Sequence, residues 1–470
     1  MSRAACIERV ERFFDDGGLF AELARRVAIR TESQEPAGRP ELQRYLDDEI
    51  APSLSRLGFE CRVFDNPDPK GGPFLIARRS EADGPTVMTY GHGDVVRGYA
   101  SQWAQGRDPW RLSREGERWY GRGTADNKGQ HSVNLAALRA VIEERGRLGF
   151  SAIVLIETGE ETGSPGLRAF AEQQQSQLKA DVFIASDGPR LSAAQPTVFM
   201  GARGVMNFDL VVDLRAGGHH SGNWGGLLAD PAIVLAHALA SLTTAQGEIL
   251  VPEWRPPSIP ASVRARVAGL QVDGGPDGPT IDPRWGEPGL TAGEKVFAWN
   301  SFDVLAFKAG NPEQPVNAVP PRAAAHCSLR YVVPCDPATF MPGLRRHLDA
   351  HGFAAVEIMP SGDPMAATRL DPDHPWARWA IDSLQATAGR EPAVLPNLGG
   401  SLPNDVFAEL LGLPTIWVPH SYPACSQHAP NEHVLAPVMR EGLRLMAGLF
   451  WDLGAGETPA ARQPVGSRAS

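Results

Sequence analysis

SAIVLIETGEETGS, residues 151–164, is the stretch whose reading decides the fold. Its first seven residues are an apolar run of strand length without polar alternation, the pattern of a strand buried on both faces. Directly beyond it, in a glycine-flanked turn, stand two adjacent carboxylates, Glu160 and Glu161. Working outward, the same arrangement repeats. TVMTY (86–90) runs into Gly91-His92-Gly93-Asp94, and DVFIAS (181–186) runs into Asp187. Helical stretches lie between them: residues 131–145 follow the glycine-rich loop GRGTADNKG (121–129), and PGLRAFAEQQQSQLK (165–179) places Pro165 in a first helical turn. Upstream, residues 5–29 and 40–57 carry apolar positions at helical spacing, and FECRVFD (59–65) and FLIARR (74–79) form short strands. Strands alternating with helices predict an α/β architecture, a mixed sheet flanked by helices on both faces.

After Met200 the texture changes. VMNFDLVVDLR (205–215), FDVLAFK (302–308), AAAHCSLRYVV (323–333) and FAAVEIMP (353–360) read as strands. DPAIVLAHALASL (230–242), with Asp230 as N-cap, and PATFMPGLRRHLDAHG (337–352) read as helices. Together they predict a βαββαβ unit of α+β type. Residues 252–290, rich in Pro and Gly, read as an insertion loop. Helical texture returns at 374–389, and LPTIWVPH (413–420) returns a strand to the first sheet. The expected organisation is a discontinuous domain of residues 1–200 and 365–470, interrupted by an inserted lid and dimerisation domain of residues 201–364.

With 470 residues the chain is long enough for two cores, and its net charge of −10 argues against nucleic acid or an anionic membrane as a partner. Five cysteines without C-x-x-C spacing give neither a disulfide framework nor a thiolate zinc site, which points to a reducing cytoplasm. The charged N-terminus lacks an apolar signal core, and no apolar run reaches membrane-spanning length. The C-terminal stretch GAGETPAARQPVGSRAS reads as a disordered tail.

Ligands of open α/β sheets bind beyond the carboxyl ends of strands, where His92, Glu160, Glu161 and Asp187 all fall. Asp94, two residues past His92 on the same face of an extended segment, can hold the imidazole tautomer that offers a lone pair to a metal. Asp126 can bridge two cations, one oxygen to each, or it can cap the helix that follows. Glu160 and Glu161 can divide into a metal ligand and a proton acceptor, or they can form a solvated acidic turn. Asp187 can be a ligand or a turn starter, and His428 a ligand or a solvent-facing loop residue. Imidazole plus carboxylate suits zinc, with manganese or cobalt also compatible.

The ordered set GHGDVV (91–96), GRGTADNKG (121–129), ETGEETGS (157–164), ASDGP (185–189), GARGV (201–205), HHSGNWGG (219–226), LRYVVP (329–334), NLGGSLPND (397–405) and SQHAPNE (426–432) resembles the co-catalytic metallopeptidase family. That family includes carnosine dipeptidases, glutamate carboxypeptidase, acetylornithine deacetylase and succinyl-diaminopimelate desuccinylase. The H-S-G-x-x-G-G element and the H-x-x-N-E ending resemble its dipeptidase branch. The resemblance implies a phosphorylase/hydrolase-like catalytic domain. It implies one metal held by His92, Asp126 and Asp187 and a second by Asp126, Glu161 and His428. Glu160 then becomes general base and later acid, Asp94 orients His92, and the Asp126–Asn127 peptide is cis. His220 is implied as the oxyanion donor, reaching in from the other subunit of a homodimer. Arg330 is implied as the partner of the substrate carboxylate, Asn317 as a companion amide, and Gly399, Gly400 and Ser401 as the loop over the substrate's C-terminal end. The expected activity is hydrolysis of dipeptides or similar small substrates with a free carboxylate, by metal-assisted attack of water. An N-acyl-amino-acid deacylase or a carbamoyl amidohydrolase would use the same scaffold, and a non-catalytic binding protein could share the fold. A serine hydrolase and an HExxH protease are disfavoured, because neither signature is present.

Overall fold

A computed structural model of the chain describes residues 1–272, 278–456 and 458–459. The central run becomes strand Ser151–Glu157, and its residues alternate between two apolar cores. Ala152, Val154 and Ile156 face one core; Ile153 and Leu155 face the other. The strand lies inside an eight-stranded sheet in the order Glu60–Phe64, Phe74–Arg79, Ser151–Glu157, Thr86–His92, Val182–Ala185, Thr415–Trp417, Thr197–Phe199, Ala393–Leu395. Pairing is mixed: the first two contacts are antiparallel, the next three parallel, and Thr415–Trp417 meets Thr197–Phe199 antiparallel.

The parallel trio at the centre matters for function. Because Ser151–Glu157, Thr86–His92 and Val182–Ala185 run the same way, the loops after all three leave one edge, and the register pairs His92 with Glu157. Helices Arg3–Asp15, Gly18–Ala28, Lys128–Arg145, Pro375–Ala388 and Ala436–Leu453 contribute buried residues to one of the two cores. The long stretch read as one helix over 5–29 is broken by Gly17, whose φ of 79° is the left-handed region that favours glycine.

The helix expected over 165–179 is shorter, Leu167–Gln173, and Pro165 precedes it instead of occupying its first turn. The cause is a tether: Asn66 Nδ2 donates to the Pro165 carbonyl at 3.0 Å. A Cβ on the intervening Gly166 (φ 81°) would sit 2.0 Å from Asn66 Oδ1, so only glycine fits and the helix must start after it.

Residues 204–365 form a second, four-stranded antiparallel sheet in the order Ser301–Lys308, Arg322–Tyr331, Gly204–Asp213, Glu357–Met365. Helices Pro231–Leu242 and Phe340–Ala350 pack on it over a separate apolar cluster, with Asp230 capping the first through the Ala232 and Ile233 amides. The chain order is βαββαβ, as the pattern predicts. The segment read as a loop over 252–290 contains a 3-10 turn, Pro252–Trp254, and a helix, Ala261–Val267. Val263 and Val267, four apart, bury one face of that helix and explain why it forms despite the Pro- and Gly-rich surroundings. The expected tail lies outside the described residues from 460 onward. Among the described residues no helix is long and apolar enough to cross a membrane, and all five cysteines are free.

Candidate metal centre

At the common sheet edge the separate clusters meet. His92 ends its strand fully buried, and its Nδ1 faces the Asp94 carbonyl oxygen at 3.1 Å and Asp94 Oδ1 at 3.4 Å. With Nδ1–H donating there, Nε2 is left to face Asp126 Oδ1 at 2.8 Å and Asp187 Oδ2 at 3.7 Å. Asp94 does a second task that its spacing from His92 does not reveal. Its carboxylate accepts from the backbone N–H groups of Glu160 (3.2 Å) and Glu161 (3.1 Å), fixing the turn that carries both glutamates.

Asp126 reaches the centre through the glycine-rich loop. It is no helix cap: helix Lys128–Arg145 begins after Asn127, and the Asp126–Asn127 peptide is cis, as the resemblance implies. Gly129 lets the loop close on itself, since a Cβ there would lie 1.9 Å from the Thr124 carbonyl oxygen. The two oxygens of Asp126 face different ways. Oδ1 meets His92; Oδ2 meets His428 Nε2 at 3.0 Å and also accepts from Gln427. His428 Nε2 in turn lies 2.9 Å from Glu161 Oε2. Two groups result, His92–Asp126–Asp187 and Asp126–Glu161–His428, each offering ligand atoms within 4.8 Å of one another and sharing Asp126.

A residue that sequence reasoning passed over holds this arrangement. Glu432, buried, accepts four hydrogen bonds: from Arg122 (2.8 Å) and the Gly123 amide (3.0 Å) on Oε2, and from the Ala125 (2.9 Å) and Asp126 (3.1 Å) amides on Oε1. A three-stranded sheet brings the two loops together by pairing His433–Leu435 with Arg118–Tyr120. The signal was the glutamate of the H-x-x-N-E ending, whose partners lie about three hundred positions upstream in the chain.

The electrostatics test whether cations fit. Four carboxylates, Asp126, Glu160, Glu161 and Asp187, converge on the buried His92 and on His428, whose side chain is 53% exposed. Burial, reinforced by neighbouring carboxylates, pushes Glu160 well above the usual carboxyl range, Glu161 to about 7 and Asp187 to about 6. Burial opposes charge on His92, but the Asp126 and Asp94 carboxylates outweigh it and raise its pKa, while contacts with Asp126 and Glu161 carry His428 up to about 11. Asp126 is depressed because its two histidine partners outweigh the cost of burial. Crowding thus disfavours ionisation of all these carboxylates together unless positive charge lies among them. Asp187 Oδ2 is buried and has no hydrogen-bond partner, an orphaned acceptor aimed at the same point. Borderline-hard imidazole and carboxylate donors, an orphaned oxygen and a shared carboxylate fit a pair of divalent cations.

Glu160 lines a cavity of about 1090 Å³ that opens from the centre and also includes Asp126, Asp187, His428, Arg330, Gly399, Gly400 and Ser401. Arg330 donates to Ser401 Oγ at 2.9 Å, and Arg203 donates to the Gly399 carbonyl at 2.6 Å. His220 and Asn317 do not line this cavity. His220 is exposed on a two-residue strand that pairs with Ala318–Val319, and the Asn317 carbonyl accepts from the Ser221 amide at 2.9 Å.

Comparison with known proteins gives the family and the fold. The model of peptidase family M20/M25/M40 matches residues 88–452. A Corynebacterium striatum protein named cysteinylglycine-S-conjugate dipeptidase is 31% identical over 370 residues, 75% of this chain and 77% of its own length. Human Beta-Ala-His dipeptidase is 25% identical over 480 residues, 96% of this chain and 93% of its own. In fold, the chain superposes with TM-score 0.79 and 23% identity on the M20 family metallo-carboxypeptidase Sso-CP2 from Sulfolobus solfataricus, covering 93% of this chain and 99% of that one.

Proposed function

Since the chain belongs to peptidase family M20/M25/M40, we propose that it is a dipeptidase that uses two divalent cations, zinc foremost, to hydrolyse small substrates with a free carboxylate. One observation carries this reading: Asp126 turns Oδ1 to His92 and Oδ2 to His428, so a single carboxylate joins two ligand groups. Bound there, the cations would polarise the scissile carbonyl and ease the ionisation of water. The names of the two dipeptidase relatives support a dipeptide substrate.

The chain's own groups divide the remaining work. Glu160 belongs to neither triad and faces the cavity, so it takes the proton of the attacking water and returns it to the leaving amine. Asp94 keeps His92 in one tautomer and the Glu160–Glu161 turn in place. Arg330, beside Ser401 and the Gly399–Gly400 loop, pairs with the substrate carboxylate, a task suited to a planar guanidinium. His220 stabilises the oxyanion from the second subunit of a homodimer, with Asn317 beside it; their exposure in the single chain supports action in trans. In this reading residues 201–364 are the inserted lid, supported by their separate apolar cluster, and the five free cysteines support a reducing compartment.

The test is Glu160→Gln with zinc-loaded protein and a dipeptide panel. The variant keeps its metal content and loses about 10²- to 10⁴-fold in kcat. Turnover near that of the parent would reject Glu160 as the proton carrier.

A further inference from the structure

We propose that the cavity wall formed by residues 281–297 makes this enzyme selective for dipeptides carrying a bulky apolar side chain, an aromatic ring or a sizeable hydrocarbon substituent. The inference rests on the dipeptidase reading and specifies its substrate class. Three observations converge on it.

The first is space. A cavity of about 1090 Å³ sits at the upper end of ordinary small-molecule pockets, and a dipeptide of small residues would leave most of it to water. The second is the lining. Away from the metal-ligand groups the wall presents Ile281, Trp285, Leu290, Val296, Phe297 and Leu398. Ile281 and Trp285 are 44% and 56% exposed, although both are large and apolar, and both face the cavity. The Trp285 ring is backed by Gly247, where a Cβ would approach it to 2.8 Å, so the backbone there supports the indole. The third is charge. Two cations of this wall are already engaged: Lys295 Nζ donates to the carbonyls of Trp285 (2.5 Å) and Pro283 (3.4 Å), and Arg190 pairs with Glu441 at 2.5 Å. Asp282 accepts from the Arg284 amide at 3.0 Å.

The wall is also continuous with the carboxylate end of the site. A Cβ on Gly399 would meet Val296 Cγ1 at 2.8 Å, so the loop beside Arg330 and Ser401 rests directly on helix Ala292–Phe297. A substrate anchored there by its carboxylate has apolar surface within reach of its side chains. Water released from that surface by a ring or hydrocarbon favours the bulky substrate; a charged side chain would lose water against a wall whose Lys295 and Arg190 already hold other partners.

The experiment compares Gly-Gly, Phe-Gly, Gly-Phe and Asp-Gly. It reads kcat/KM with zinc-loaded parent protein, and calorimetric dissociation constants with the zinc-loaded Glu160→Gln variant. At least one of the two Phe dipeptides should exceed Gly-Gly by about tenfold or more in both readouts, the size expected for burying an aromatic side chain. Asp-Gly should be the poorest of the four. Trp285→Ser, at an exposed position, should shrink the Phe-to-Gly ratio in both readouts. Equal values for Phe dipeptides and Gly-Gly within threefold, or a preference for Asp-Gly, would overturn the proposal. If no dipeptide is cleaved, the dipeptidase reading fails, and the binding ratios alone still decide whether the wall selects apolar groups.

Discussion

Replacing Glu432 by Gln probes the loop that presents Asp126. The substitution keeps the shape of the side chain and removes its charge. In the parent, each oxygen accepts two hydrogen bonds: Oε1 from the Ala125 and Asp126 amides, Oε2 from Arg122 and the Gly123 amide. Whichever way the new amide turns, its NH2 group faces two N–H donors, so two of the four bonds are lost. Arg122, itself buried, also keeps its charge without a counter-ion, and two of its nitrogens already lack partners. Breaking a buried ion pair from one side costs about 3–5 kcal/mol, against a total stability of about 5–15 kcal/mol for a folded protein. The same change loosens the Asp126 amide, and groups that orient a metal ligand are worth about 10- to 100-fold in metal affinity. Urea unfolding followed by tryptophan fluorescence reads the first effect, and calorimetric zinc titration reads the second. A variant within about 1 kcal/mol of the parent, binding zinc with the parent's affinity, would refute the view that Glu432 clamps this loop.

Two further outcomes are expected. If Arg330 pairs with the substrate carboxylate as proposed, Arg330→Met should lower kcat/KM for dipeptides about 10- to 150-fold, mostly through KM, with zinc content unchanged; an unaltered KM would remove Arg330 from substrate recognition. Burial holds the thiols of Cys6, Cys327 and Cys425 up at about 12, so at pH 8 only about one in ten thousand of each is ionised. A thiol reagent at that pH should therefore reach Cys61 and Cys335, which are only partly buried, well ahead of the other three, and equal rates for all five would contradict the packing described.

Much of this was legible because burial leaves a periodic mark. The run at 151–157 gave its strand bounds directly, and the alternation of apolar elements after residue 200 gave the βαββαβ order. Asp230 announced its helix because the capping bond is made to amides two and three residues away. What stayed hidden depends on contacts distant in sequence. Placement of Ser151–Glu157 between Phe74–Arg79 and Thr86–His92 is a tertiary choice, and the three-residue strands Thr197–Phe199 and Ala393–Leu395 are too short to show a period. Pro165 misled because the Asn66 tether that shifts the helix start sits a hundred residues upstream. In the site, the residue types were readable and the division of labour was not. That Asp94 holds the glutamate turn, and Glu432 the Asp126 loop, follows only from geometry. The apolar cavity wall was equally silent, since the Pro- and Gly-rich composition of residues 252–290 reads as turns and hides it.

The central claim is that Asp126 joins two cation sites. Anomalous diffraction at the zinc edge, from crystals of the zinc-loaded protein, tests it most directly. Two peaks per chain are expected, one among His92, Asp126 and Asp187 and one among Asp126, Glu161 and His428. A single peak, or peaks away from Asp126, would contradict the account.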